Sequence, residues 1–216
     1  MTMTLLTIAN HFLFGGILSL ITITNPLSKV PLFITLTKAM GDDKKHILAR
    51  RACIYAFGIM VTTLFIGALI LDIFGISYGA LRISGGFTIA LLGYKMLFQT
   101  SDANFSPESS NNDYAFFPLA LPSISGPGTI AVIIGISTEI AELKTIPLKV
   151  MAYSATICSM ALSCAVVWIV LRTCKIIARI LGKDGMEVTT RLMGFLLICV
   201  GVQFVYSGIK TLIGGS

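Results

Sequence analysis

The chain has 216 residues, 55 % of them hydrophobic and 12 % charged, with a mean hydropathy of +0.89. Soluble domains carry about 25 % charged residues, so half that share excludes an ordinary water-soluble domain. The net charge of +6 raises nucleic acid as a partner, but no basic patch interleaved with aromatics supports it, and none is assigned.

A membrane-spanning helix needs about 20 predominantly apolar residues, and the sequence predicts six: residues 8–37, 47–71, 80–98, 114–139, 146–171 and 192–213. None shows the alternation of barrel strands. The first run lacks a basic leader and a convincing small-x-small cleavage site, so it reads as a retained helix. It is interrupted by TNPLSKVPLF, with prolines at 26 and 31, and the fourth run by LPSISGPGTI, with prolines at 122 and 127. The fifteen residues QTSDANFSPESSNND, 99–113, are the one long polar stretch and read as a cytoplasmic linker. The organisation is therefore 1–98, a first three-helix repeat; 99–113, the linker; and 114–216, a second three-helix repeat.

Basic residues set the orientation. Lys38, Lys44, Lys45, Arg50, Arg51, Lys95, Arg172, Lys175, Arg179, Lys183 and Arg191 fall on one face, against Arg82, Lys144, Lys149 and Lys210 on the other. The first face is the cytoplasmic one, which places both termini outside. Three helices per half is an odd number, so successive copies lie upside down to each other. The third helix of each half begins alike, RISGGFTIALLGYKMLF from Arg82 and RLMGFLLICVGVQFVYSG from Arg191, with glycines seven apart (Gly86 and Gly93; Gly194, Gly201 and Gly208). Glycine at that spacing smooths one helix face for close approach, and packing alone accounts for it. The fold class is an all-α membrane protein with two inverted three-helix repeats and broken helices 1 and 4, an arrangement in which the breaks point to a substrate site.

Proline removes a backbone donor and clashes with the preceding turn, and an unsatisfied backbone group in hydrocarbon costs several kcal/mol. Such a break persists where protein, water or a ligand supplies partners. Asn25-Pro26 and Gly126-Pro127 each read as a cap followed by a first helical residue, although Pro31 delays the first. A helix N-terminus suits an anion such as a carboxylate. The candidate site residues are Asn25, Pro26, Ser28, Pro31, Ser123, Ser125, Gly126, Pro127, Gly128 and Thr129. Lys29 is read either as snorkelling to the cytoplasmic face or as a partner of the first break, and Lys95 as snorkelling. Kinks satisfied by neighbouring helices are the competing reading of both breaks.

No Asp, Glu or His falls near the centre of a span, so a carboxylate proton relay is not visible; His11 and Asp72 lie towards helix ends. The five cysteines form neither a CxxC pair nor a Cys/His cluster of ligand spacing, and they read as buried free thiols. No nucleophile, base and orienting group stand out, and no metal or cofactor motif is present. The expectation is a protein that is not an enzyme and uses no cofactor.

In the stretches TNPLSKVPLFITLT, LRISGGFTIALLGYKMLF, PLALPSISGPGTIAVII and TRLMGFLLICVGVQF the chain resembles the MarC family of bacterial inner-membrane proteins. The resemblance spans nearly the whole chain outside the linker. Archaeal members are described as small neutral amino-acid transporters of the SnatA type. It implies six spanning helices, a multi-pass protein of the bacterial cytoplasmic membrane and a transporter fold. Asn25, Pro26, Pro31, Ser123, Gly126, Pro127, Gly128 and Thr129 fall on the family's characteristic positions, while position 28 is Ser where many relatives carry Gly or Thr.

The leading expectation is a secondary transporter or exporter of glycine- or alanine-like amino acids, with neutral oxygens of Ser28, Ser123, Ser125 and Thr129 or freed carbonyls for the ammonium group. A non-transporting membrane scaffold or assembly factor is the alternative. Sodium, a proton or no coupling ion, the direction of transport and the oligomeric state are open from sequence.

Overall fold

The computed structural model describes residues 2–38, 40–98, 114–141 and 143–214. Among them the regular structure is entirely helical: α1 (Thr2–Thr24), α2 (Lys29–Leu36), α3 (Asp42–Phe74), α4 (Tyr78–Phe98), a wide π-type segment (Ala115–Ile124), α5 (Pro127–Ala141), α6 (Ile146–Arg172) and α7 (Cys174–Gly214). Four stretches are long and apolar enough to cross a bilayer, namely Thr7–Leu36, Asp42–Gly67, Ile146–Arg172 and Glu187–Ile213, and Pro127–Ala141 is a shorter apolar helix. Large apolar side chains such as Phe14, Leu18, Ile73, Phe87, Ile146 and Ile213 are exposed along these helices. Apolar surface this extensive suits lipid and not water. The linker 99–113 lies outside the described residues.

Both expected breaks are present, each with a correction. α1 ends where the Asn25 N–H donates to the Ile21 carbonyl at 2.9 Å. Asn25 then turns left-handed (φ 41°, ψ 75°) and residues Pro26–Ser28 form one 3-10 turn. Asn25 does not cap the next helix with its side chain, as the sequence suggested. The α-helix resumes only at Lys29, which puts Pro31 in the first turn of α2, where a missing N–H costs nothing. The second break starts earlier than expected. Phe117 (φ −123°, ψ 126°) and Leu121 (φ −126°, ψ 124°) leave helical geometry, and each precedes a proline, Pro118 and Pro122. A residue before proline is driven out of the helical region, so two successive X-Pro steps unwind the segment that α5 follows.

Charged ends carry several helices past the apolar spans read from sequence. Asp42 and Asp43 begin α3 at its positive dipole end, and Gly75 (φ 61°) closes it. Residues 174–191, expected as a connection, are helical and belong to α7, which bends at Gly182 (φ 64°, ψ −173°). Hydropathy alone passed over this stretch because its Lys and Arg dilute the apolar residues.

The core joins the halves. α4 and α7 run antiparallel on paired glycines. A Cβ on Gly86 would lie 2.6 Å from the Gly201 carbonyl oxygen, one on Gly93 2.5 Å from that of Gly194, and one on Gly208 2.7 Å from that of Gly79. Arg82 adds a polar clasp, donating to Ser207 Oγ at 3.1 Å and Tyr78 OH at 3.0 Å. α1 packs on α6, while α3 packs on both the π-type segment and α5. Ser125 and Ser137 each donate to a carbonyl of α3, those of Ala56 (3.0 Å) and Leu64 (2.7 Å).

Candidate functional site

A cavity of about 390 Å³ lies along the second break and reaches the residues that flank the first. Its wall takes Ile23 and Lys29 from either side of the first break, and Ser123, Gly126, Pro127, Gly128 and Thr129 from the second. α4 contributes Thr88, Ile89, Leu91 and Lys95, and α7 contributes Leu197. At about 30 Å³ per water molecule the space suits a small polar solute with some hydration.

The second break supplies the helix start that its sequence promised. Pro127 is the first residue of α5, and the first helical bond runs from the Ile130 N–H to the Gly126 carbonyl at 3.0 Å. The N–H groups of Gly128 and Thr129, in the first turn, have no intrahelical acceptor. The Thr129 hydroxyl donates back to the Ile124 carbonyl at 3.0 Å, which ties α5 to the unwound segment and leaves the oxygen as an acceptor. Gly128 is explained by packing as well as by access, since a Cβ there would come 2.6 Å from Ile89 Cγ1.

Five expected site residues thus share one wall: Ser123, Gly126, Pro127, Gly128 and Thr129. The others do not line it. Ser125 is fully buried and committed to Ala56, and the Ser28 hydroxyl donates to the Asn25 carbonyl at 2.8 Å. Pro26 is buried within the 3-10 turn. Pro31 is exposed on the outer face of α2. Asn25 is 4 % exposed, and its Nδ2 has no hydrogen-bond partner. An unmade bond on a buried donor costs about 1–3 kcal/mol, so the first break carries a polar group that the protein does not satisfy.

Sequence reasoning missed the α4 wall, because contact between residues so far apart leaves no local trace. It left Lys29 between two fates, and the structure places this side chain in the cavity wall at 8 % exposure, not snorkelled. Lys95 is exposed as expected, yet it also borders the cavity. His11 pairs with Glu139 at 3.2 Å, joining α1 to α5 away from the cavity wall. Cys53, Cys164 and Cys174 are buried, whereas Cys158 and Cys199 are exposed, a correction to the expectation that all five thiols are covered. No group of metal-ligand residues occurs among the described residues.

A chain whose described residues are all-helical, with several apolar spans, broken helices and exposed apolar faces, is a multi-pass integral membrane protein. It belongs to the MarC family of integral membrane proteins, whose family model matches residues 10–213. The chain is 37 % identical over 208 residues to the inner membrane protein MarC of Citrobacter koseri and to that of Salmonella typhimurium, covering 92 % of this chain and 94 % of each relative. It is 38 % identical over the same length to the MarC protein of Escherichia coli O1:K1. No solved structure matches the chain significantly.

Proposed function

We propose that the protein is a secondary transporter or exporter of small neutral amino acids, working by alternating access around a site between the two broken helices. The observation that carries this reading is a cavity lined by the second break and by Ile23 and Lys29, which flank the first, with the start of α5 at its edge. A helix start at a cavity is suited to a carboxylate, and the hydroxyls of Thr88, Ser123 and Thr129 in its wall are candidates for the ammonium group. The orphaned amide of Asn25 adds a donor beside the first break.

The architecture we infer is six spans in two inverted repeats, 1–98 and 114–216, with both termini outside the cytoplasm. The packing supports it. α1 of the first half lies on α6 of the second, and α5 of the second lies on α3 of the first. That exchange is what a two-fold relation between halves produces, and the antiparallel glycine pairs of α4 and α7 fit an axis between them. The test is counterflow of labelled glycine by the purified protein in liposomes, with imposed pH or sodium gradients to identify the coupling ion. A scaffold with dry, packed breaks would give no counterflow with any small amino acid.

A further inference from the structure

We propose that the Lys29 ammonium is the anion anchor of this cavity, so that the site grips a small solute by its carboxylate and tolerates loss of its amino group. The proposal rests on the transport reading for the identity of the solute, though not for the existence of the anchor.

Three observations converge on it. Lys29 lines the cavity at 8 % exposure and makes no hydrogen bond or ion pair with any described residue. It is the first residue of α2, which sets a cation against the positive end of that helix dipole. No described residue of the cavity wall carries a carboxylate, and the wall adds a second cation, Lys95, and the start of α5. Of the described acids, Asp42 pairs with Lys175, Glu139 with His11 and Glu187 with Arg191, and none lines the cavity. A buried charge persists where it is paired, and here the protein supplies no partner. An entering carboxylate supplies one, through charge-assisted hydrogen bonds that are roughly twice as strong as neutral ones. The solute's ammonium meets only hydroxyls and carbonyls, which are weaker handles.

The probes are sodium acetate, glycine and methylammonium chloride, with sodium chloride at matched ionic strength, added to the purified full-length chain in detergent while its thermal unfolding is followed. Acetate and glycine are expected to raise the melting temperature above the chloride control, and methylammonium is not. Lys29→Gln should lose the acetate shift, and Lys29→Arg should keep part of it. In liposomes acetate should compete with glycine counterflow in the parent, a test that needs no folded variant, and Lys29→Gln should raise the glycine KM about tenfold or more, as expected for a lost hydrogen bond to a charged group. An equal shift from methylammonium, from chloride, or from acetate in folded Lys29→Gln would overturn the anchor. Glycine counterflow with an unchanged KM in that variant would also remove the anchor and leave the transport reading standing. An acetate shift that depends on Lys29, without counterflow, would do the reverse.

Discussion

At Asn25 the backbone and the side chain make separate demands. The backbone is left-handed (φ 41°, ψ 75°), a region that costs L-residues about 1–2 kcal/mol and that Gly, and to a lesser degree Asn, enters readily. The side chain leaves a buried donor free. Asn25→Gly should therefore unfold near the parent's temperature yet lose glycine counterflow, because only the amide is gone. Asn25→Ala should lose activity and also melt lower, through strain at the turn. Full transport by Asn25→Gly would show that the amide serves no solute. The seam residues make a contrasting case. A side chain at Gly201 would meet the Gly86 carbonyl at 2.6 Å and the Ala90 nitrogen at 2.7 Å, backbone atoms that cannot swing aside. Gly201→Leu should cost about 1–3 kcal/mol by overpacking, seen as a lower melting temperature, with substrate preference unchanged in the surviving protein. The sequence disclosed the need for glycine at 201 through its spacing. The role of Asn25 was only half legible, because a cap and a left-handed turn both favour the same residue.

The elements differ in how much of them was written locally. Prolines at 26, 31, 122 and 127 marked both breaks, because each removes a donor wherever it falls. The unwinding at Phe117 was missed although Pro118 follows it, since the reading weighed only the prolines flanking the glycines. The front of α7 was missed for the opposite reason, an amphipathic stretch judged by apolar content alone. Its bend at Gly182 offers a clean test: nothing lies within 4 Å of a Cβ built there, and φ is +64°. With ψ at −173° the residue sits in a region essentially reserved to glycine, so Gly182→Ala should cost about 1–3 kcal/mol through backbone strain, measurable as a shift in thermal unfolding. A neutral result would mean that the bend relaxes without penalty. The contribution of α4 to the cavity had no signature in the sequence, because it depends on how the glycine seam sets α4 against α5 and α7.

For the whole molecule, the charge distribution and the packing lead to the same proposed topology. The basic residues of the segments 38–51 and 172–191 outnumber those on the opposite side, which should place both segments in the cytoplasm. A reporter fused after Ser216 should be active outside the cytoplasm, and a tag inserted at Ser109 should be cytoplasmic; finding both on one side would remove the inverted arrangement. The membrane class and the positions of the breaks were legible because bilayer thickness and proline geometry act on short stretches. The cavity's charge was not, since it depends on which side chains the fold brings to its wall. The central claim is that a small amino acid passes through the space between the breaks. Counterflow of labelled glycine into liposomes preloaded with unlabelled glycine tests it most directly. Accumulation of label above protein-free liposomes, abolished in Asn25→Gly, is the predicted result; a folded, correctly inserted protein that exchanges neither glycine nor alanine would contradict it.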